Sequence, residues 1–503
     1  MQRIDENVQN RAIEILRQLR EQGVDASNLC VDSRTVRPGD VFLGYPGETQ
    51  DGRSHIAGAI AAGAAAVLWD EAGFAWNEAW RVPNLPVESL RPMAGHLAHE
   101  VYGRPSEKLW VMGVTGTNGK TSCSQWLAQA CGECGARTAV IGTLGIGFAG
   151  GALAPSPNTT PDAVALHQSL SRLLGEGAQG VAMEVSSIGL DQGRVNGVKF
   201  GAALFTNLSR DHLDYHGDMD SYAQAKQRLF LSPGLGHAVL NMDDVQGVSI
   251  ARMIAGSGVT RSGYSCFEGV AARSGLEHFV EAQDIRVSPQ GIAFSVKSSW
   301  GEARIESPLL GRFNISNLLG VLATMMASGV PFVQATGALT KIAPVPGRME
   351  RIGGEGRPLV VVDYAHSPDA FQEVANALKD LATAGNGRLC VVFGCGGDRD
   401  RGKRPLMGAI ASRHADRIIV TSDNPRGEDP NAIISEIVAG IPVAYEVIAD
   451  RRAAIAAAVA SARAGDVVLL AGKGHETYQE ARGEKLLFSD LLEARLALGR
   501  WES

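Results

Sequence analysis

The chain has 503 residues, enough for about three domains that each bury a core of their own. That length excludes a short peptide module, and with hydrophobic residues at 45% and charged residues at 20% the composition excludes a disordered chain. The formal charge of -7 offers no general field for a polyanion, so no nucleic-acid partner is expected.

The N-terminal stretch MQRIDENVQNRAIEILRQLREQG reads as a charged amphipathic helix without the apolar centre of a signal peptide, and no run approaches 18 apolar residues. A cytoplasmic protein without membrane insertion is expected. Next, LCVDSRTVRPGDVFLGYPG alternates apolar and polar residues around a Pro-Gly turn, and HIAGAIAAGAAAVLWD looks like a helix leading into a strand. This small α/β unit ends near residue 90, inside a polar, Pro-containing stretch. From Leu109 the apolar run LWVMGV, the Gly-rich turn GTNGKTS and the helical CSQWLAQACGECG make a strand, loop and helix unit. RTAVIG, GVAMEVSS, AALFTNLS and HAVLNMDD add apolar runs between helical stretches such as DAVALHQSLSRLL, a pattern that predicts a largely parallel sheet. Ile315, Leu318, Leu319, Leu322 and Met325 then fall at helical spacing, with Gly329 as a natural stop.

After Pro344, Pro346 and Gly347 the alternation resumes. PLVVVDYAHSPD, RLCVVFGCGGDRD, RIIVTSDNPRGEDP and DVVLLAGKGHE each place a polar loop directly after a strand, with helices such as DAFQEVANALKDL between them. In doubly wound sheets ligands bind outside the carboxyl ends of strands, so these four loops should converge on one cleft. The seven Cys are an odd, scattered set, and Cys131-x-x-Cys134 has no second pair to complete a zinc site. Free, packed thiols are expected.

Gly113-Val-Thr-Gly-Thr-Asn-Gly-Lys-Thr-Ser122 lies between a predicted strand and helix, where backbone N–H groups and a helix N-terminus can surround phosphate oxygens. Lys120 would neutralise them, and Thr121 would offer its hydroxyl to Mg²⁺. The spacing is a variant of the common loop, since Val114 follows the first glycine. The plainer reading is a Gly-rich turn with an accidental Lys-Thr; GTLGIG at 142–147 is read only as a turn. Glu184 ends one strand, and Asp211, His212, Asp214 and His216 follow another, all beside the phosphate loop if the sheet is parallel. Oxygen ligands suit Mg²⁺, and an imidazole can hold a second ion; alone, His212 would read as a satisfied loop histidine. Lys226 is odder, because a cation near Mg²⁺ is repelled. It either pairs with Asp211 or Asp214, or becomes a carbamate, an anionic oxygen ligand. The fold class expected is α/β in three domains: a small N-terminal α/β domain (1–90), a central P-loop parallel-sheet ATPase domain (91–344) and a C-terminal Rossmann-like doubly wound domain (345–503).

With the P-loop, the EVSS strand, the NLSRDHLDYHG loop and four ligand loops in one chain, the sequence resembles the Mur ligase family of peptidoglycan synthesis, closest to its diaminopimelate-adding members. The likeness runs from Val31 almost to the C-terminus. It implies an ATP-dependent amide ligase that forms an acyl phosphate for an incoming amine to attack. The implied acceptor is the D-glutamate side chain of UDP-N-acetylmuramoyl-L-alanyl-D-glutamate, the implied donor is meso-diaminopimelate, and a monomer is expected. By the same resemblance, Val31, Ser33, Glu48, Thr49 and Gln50 hold the UDP portion, while Asn158, Thr159, Thr160, Ser186, Gln192 and Arg194 contact the muramoyl-peptide. Arg194 can bind carboxylate or phosphate bidentately, though alone it would pass for a surface residue. ATP meets Gly116, Thr117, Asn118, Gly119, Lys120, Thr121 and Ser122, with Asn314 at adenine, Arg348 near phosphate and Asp363 at ribose. Glu184, His212 and Lys226 look like metal ligands, Lys226 as the family's carbamylated lysine. Ile188 stands where a His is common, and Ser122 replaces a Thr.

Asp423, Asn424, Pro425 and Arg426 match the signature that accompanies diaminopimelate in this family, joined by Arg399, Gly472 and Glu476; otherwise they read as an Asn-Pro turn. Meso-diaminopimelate differs from lysine by a second carboxylate, so its distal end needs both a cationic and an anionic partner. Arg426 and Arg399 can take carboxylates and Glu476 an ammonium. Lysine would leave an Arg unpaired, enough for discrimination of roughly 10² or more. Closure of the third domain onto the second is expected. Two rival readings are a folate polyglutamate synthetase and a non-catalytic UDP-peptide binder.

Overall fold

The structure, a computed structural model, describes residues 2–48 and 50–501. Three sheets follow one another along the chain, with a separate hairpin, Tyr478–Ala481 with Glu484–Leu487, near its end. The first sheet runs Leu29–Cys30, Val41–Gly44, Ala66–Asp70, Asn84–Val87, all parallel. The Pro-Gly turn therefore makes no hairpin. Both faces of these strands are buried: Val41, Leu43, Ala66 and Leu68 meet the helices Gln2–Glu21 and Leu90–Val101, while Phe42, Val67 and Trp69 meet Ile56–Ala61. A strand covered on both faces loses the polar alternation that a half-exposed one keeps.

Helix Leu90–Val101 belongs to this first core through Met93, Ala94 and Leu97. Its other side meets the central unit with almost no space between backbones. A Cβ on Gly95 would lie 2.3 Å from the Asn196 carbonyl oxygen, and one on Gly197 would lie 2.8 Å from that of Gly95. Asn196 Nδ2 donates to Pro92 O at 3.0 Å across the same contact. Only glycine lets the two chains come this near.

In the ten-stranded central sheet the order is Gly301–Ser307, Gly291–Ser298, His278–Ser288, Thr260–Ser265, His237–Asn241, Ala202–Phe205, Trp110–Thr115, Gly180–Glu184, Thr138–Gly142, Gly145–Phe148. From His278–Ser288 to Thr138–Gly142 every pairing is parallel, as the repeated apolar runs predict. Antiparallel hairpins extend both edges, and the 291–307 pair shows one-sided burial. Trp110–Thr115 lies between Ala202–Phe205 and Gly180–Glu184, so the phosphate loop, Glu184 and the 206–212 loop emerge side by side.

The third sheet runs Glu350–Gly353, Leu359–Asp363, Val467–Ala471, Leu389–Phe393, Arg417–Val420, Glu446–Val447, parallel except at the first pair. Arg451 and Asp490, both fully buried, join its two closing helices through paired 2.7 Å hydrogen bonds. Arg451 also donates to Ala471 O at 2.9 Å, which ties the pair to a strand end. Asp490→Ala leaves this guanidinium uncompensated and is expected to destabilise the protein by about 3–5 kcal/mol in denaturant unfolding. All seven cysteines are free, and Cys131 is buried on helix Lys120–Glu133.

Candidate functional site

Two glycines shape the phosphate loop. Gly116 has φ 150°, and a Cβ there would sit 1.9 Å from Thr206 Oγ1; Gly119 has φ 86°, with Asn317 Oδ1 at 2.5 Å from the corresponding point. Asn207 holds the loop from the neighbouring strand end, accepting from Thr117 N through its carbonyl and from Asn118 N through Oδ1. Lys120 opens the helix Lys120–Glu133 and curls back to donate to Gly116 O and Thr117 O, each at 2.8 Å. Burial lowers its pKa, opposed by Glu184 and Asp211.

Glu184, 1% exposed, is gripped from two sides. Thr121 Oγ1 donates to its Oε2 at 2.9 Å, while Thr143 gives its backbone N–H to Oε1 at 2.8 Å and its hydroxyl to Oε2 at 3.1 Å. Thr143 sits in the turn of the 138–148 hairpin, the GTLGIG segment read above as a plain turn. Arg348 Nη2 donates to Thr121 Oγ1 at 3.0 Å and its guanidinium lies over the Tyr364 ring at 4.5 Å.

Lys226 is 1% exposed; its Nζ donates to Gly116 O at 2.8 Å and sits 4.4 Å from the Tyr222 ring centroid. A carbonyl and a π face are weak compensation for an ammonium. Burial, with Lys120 adding repulsion, holds its pKa well below the ordinary lysine value, and Asp211 only partly opposes this. A neutral buried amine of this kind can add CO₂. Asp211 instead faces two imidazoles, His212 Nε2 at 3.5 Å and His366 Nε2 at 3.9 Å. Among the described residues no three His, Cys, Asp or Glu side chains gather closely enough to hold a metal. A divalent-ion site here needs the Thr121 hydroxyl and an oxygen on Lys226 beside Glu184 and His212, and hard oxygen donors with one imidazole fit Mg²⁺.

The 158–160 loop reaches Thr143 and the backbone at Glu184. Thr159 Oγ1 lies 3.1 Å from Thr143 Oγ1, and Thr160 Oγ1 donates to Glu184 O at 3.0 Å and to Ser186 Oγ at 3.1 Å. Arg194 is locked by Gln192 Oε1, at 2.9 and 2.7 Å, and by Thr160 O at 2.8 Å. Glu48 pairs with Arg91 at 2.8 Å, and the half-buried Tyr45 feels Asp162, Arg91 and Arg194. Tyr45 thus approaches the Arg194 corner; Val31 packs against the first core, neither Val31 nor Ser33 borders the cleft beside the phosphate loop, and Thr49 is outside the described residues.

In the third unit, Asp423 and Asn424 are buried and held by a residue that the sequence reading passed over, the fully buried Lys473. Its Nζ lies 2.9 Å from Asn424 Oδ1, 2.9 Å from Glu476 Oε2 and 3.5 Å from Asp423 Oδ1. Asn424 Nδ2 reaches Glu476 Oε2 at 2.8 Å, so one oxygen of Glu476 is occupied by two donors. Gly472, at φ 114°, leaves room for Asp423, whose Oδ2 would be 2.8 Å from a Cβ there. Pro425 O packs against Gly397. Asp363 takes Met349 N at 2.7 Å and Ala365 N at 2.8 Å; Asn314 donates to Leu310 O at 2.7 Å.

One cleft of about 1160 Å³ joins these parts. It is bordered by residues 117–122, Asn158, Thr159, Glu184, Ser186, Arg194, Asp211, His212, Lys226, Asn314, Arg348 and Asp363, and equally by Arg399, Arg426 and Glu476. Tyr364, His366 and His475 border it too, and burial brings both imidazoles down to about 4.

A strand-loop-helix phosphate site facing a second α/β sheet across a shared cleft defines a nucleotide-dependent ligase fold, and the comparisons narrow it. The Mur ligase family, catalytic domain, matches residues 25–102, the Mur ligase middle domain residues 114–325, and the Mur ligase, glutamate ligase domain, residues 347–474. The chain belongs to the Mur ligase family. It is 50% identical over 486 residues, 96% of each chain, to the UDP-N-acetylmuramoyl-L-alanyl-D-glutamate--2,6-diaminopimelate ligase of Chromobacterium violaceum. It is 50% identical over 466 residues, 92% of each chain, to the ligase of the same name from Neisseria meningitidis serogroup A. A solved structure of a ligase of that name superposes with TM-score 0.67 at 37% identity, covering 94% of this chain and 95% of that one.

Proposed function

We propose that the chain is an ATP-dependent amide ligase that adds meso-diaminopimelate to the side-chain carboxylate of D-glutamate in UDP-N-acetylmuramoyl-L-alanyl-D-glutamate. The observation that carries this reading is the single cleft bordered by Lys120 on one side and by Arg399, Arg426 and Glu476 on the other. The first unit, which includes helix Leu90–Val101, holds the uridine end through Val31, Ser33, Glu48, Thr49 and Gln50; the central unit holds ATP and the peptide; the third holds the amino acid. It works as a monomer in the cytoplasm, where its soluble substrates are.

The N–H groups of Gly116 to Ser122, with the helix N-terminus and Lys120, hold the phosphates of ATP. Asn314 faces adenine, Asp363 the ribose, and Arg348 reaches the phosphates from the start of the third unit. Thr121, Glu184, His212 and Lys226 as its carbamate would hold Mg²⁺, which supplies charge neutralisation at the phosphoryl oxygens. Asn158, Thr159, Thr160, Ser186, Gln192 and Arg194 direct the D-glutamyl carboxylate at the γ-phosphorus. Its oxygen forms the new P–O bond as ADP leaves, giving an acyl phosphate. The diaminopimelate amine, held by Arg399, Arg426 and Glu476 within the loops of Asp423, Asn424, Pro425 and Gly472, attacks the carbonyl. The tetrahedral adduct loses a proton and expels phosphate, leaving the amide. Positioning and charge neutralisation supply most of the acceleration. Closure of the third unit is supported by its contacts with the metal-side loop, Arg210 to Asp400 at 3.5 Å and Asp211 to His366 at 3.9 Å.

ADP release tests the reading. Release is expected only with ATP, the UDP-dipeptide and meso-diaminopimelate together; none at all would mark a binder, and indifference to the UDP-dipeptide a folate-type enzyme. Thr143→Val removes one of the hydroxyls on Glu184 while keeping its N–H, and is expected to lower kcat by about tenfold, since a hydrogen bond to a charged group contributes about 1.5–3 kcal/mol.

A further inference from the structure

The loops that carry Arg399 and Arg426 to the cleft hold conformations that side-chain-bearing residues seldom adopt. φ is 53° at Asp398 and 50° at Arg426. Such residues persist only where their surroundings impose the geometry. At Arg426 the 480–482 backbone takes part, with Arg426 N donating to Glu480 O at 3.0 Å and Arg482 N donating to Arg426 O at 2.7 Å, and behind both loops stands one buried guanidinium. Arg404, fully buried on helix Lys403–His414, donates from Nη2 to Glu428 Oε1 at 2.7 Å and from Nη1 to Glu428 Oε2 at 2.9 Å. Its Nη1 also reaches Glu436 Oε2 at 2.8 Å, and its Nη2 reaches Gly396 O at 3.2 Å.

Glu428 lies two residues after Arg426, and its Oε1 also accepts from the backbone N–H of Asp398 at 2.6 Å. One carboxylate therefore ties the 395–400 loop, the 423–429 loop and a helix together. Asp398 answers from the other side, accepting from Gly427 N at 3.0 Å, while Arg426 Nη1 donates to Gly397 O at 2.8 Å and Gly397 N donates to Asn424 O at 2.9 Å. Neither Arg404 nor Glu428 is among the residues bordering the cleft. Glu436 differs: on helix Pro430–Val438 it pairs with Arg404 and Arg401, and its carboxylate makes no hydrogen bond to either loop's backbone.

We propose that Arg404 and Glu428 are positioning residues that set the separation of Arg399 and Arg426, and so select an amino acid with a second carboxylate over one with a bare distal amine. The inference rests on the ligase reading above. A guanidinium fork fits a carboxylate only at fixed distance and orientation, so two forks recognise two carboxylates only while their spacing is held. A helix-borne arginine supplies that rigidity, and the carboxylate transmits it to both loops.

Kinetics with the whole protein tests this. Glu428→Gln is expected to raise KM for meso-diaminopimelate at least tenfold and to shrink the kcat/KM preference over L-lysine by a similar factor, with KM for ATP and the UDP-dipeptide unchanged within twofold. Glu428→Asp keeps the charge and should recover part of the preference. Glu436→Gln, which also strips a carboxylate from Arg404, should leave KM for meso-diaminopimelate within twofold. A fall in kcat alone with the preference intact, or equal effects of the 428 and 436 substitutions, would overturn the proposal. If Glu428→Gln does not fold, Glu428→Asp is compared with Glu436→Gln on the same criteria. Wild-type protein that releases no ADP with meso-diaminopimelate sinks the ligase reading itself; an active wild type with an unshifted Glu428→Gln sinks only this inference.

Discussion

Lys226→Ala is expected to reduce ADP formation by roughly 10³-fold or more, because on the proposed carbamate reading the substitution removes an anion from beside Glu184 and His212. The environment of the amine argues for the anion. Among the described residues its polar acceptor is Gly116 O at 2.8 Å, and burial beside Lys120 disfavours the ammonium. On that reading the uncharged amine attacks CO₂, its nitrogen forming the new C–N bond and releasing one proton, and the lysine becomes a carbamate, an anionic oxygen ligand on a long stem. Truncation to alanine leaves a channel where the stem ran. Millimolar acetate or propionate is therefore expected to restore part of the lost turnover in Lys226→Ala and none in Lys120→Ala, whose missing group is a cation. Wild-type rates in Lys226→Ala, or no rescue by any short-chain acid, would remove the carbamate from the reading.

Arg426→Ala should raise KM for meso-diaminopimelate by about 30- to 150-fold, the equivalent of about 2–3 kcal/mol for a charge-assisted bidentate contact, and should leave L-lysine nearly unaffected. Arg426 Nη1 is already committed to Gly397 O, and Nε lies 3.6 Å from Glu480 Oε2. Arg426 also borders the cleft. Steady-state kinetics with both amino acids measures the preference directly. A variant that loses rate with both donors alike would mean that Arg426 holds its loop and reads no carboxylate.

Much of the fold is legible in the sequence wherever chemistry and period coincide. Strands Trp110–Thr115 and Gly180–Glu184 are fully apolar runs ending in a Gly-rich turn and an acid, and the loops after Asp363, Phe393, Val420 and Ala471 each break a buried strand with polar residues. Other features are silent for physical reasons. Thr143 sits in a hairpin turn whose glycines follow no phosphate-loop spacing, and only the parallel neighbour brings Glu184 to it. Lys473 lies inside AGKGHE, where a lysine reads as surface; its burial depends on Asn424, 49 residues earlier in the chain. The three edge strands from His278 to Ser307 carry mixed polar and apolar residues because one face is open, so they yield no apolar run to read.

The glycine contact between residues 95 and 197 has a consequence for which acceptors are accepted. With no side chain between them and Asn196 bridging to Pro92, the first unit cannot swing against the second without breaking that junction. With the uridine end held by the first unit as proposed, that unit and the phosphate loop form the two jaws of a fixed gauge, and closure falls to the third unit. An acceptor one amino acid too short or too long would be gripped at its head with its carboxylate out of line with the γ-phosphorus, so selection by length acts before any residue meets the reacting atoms.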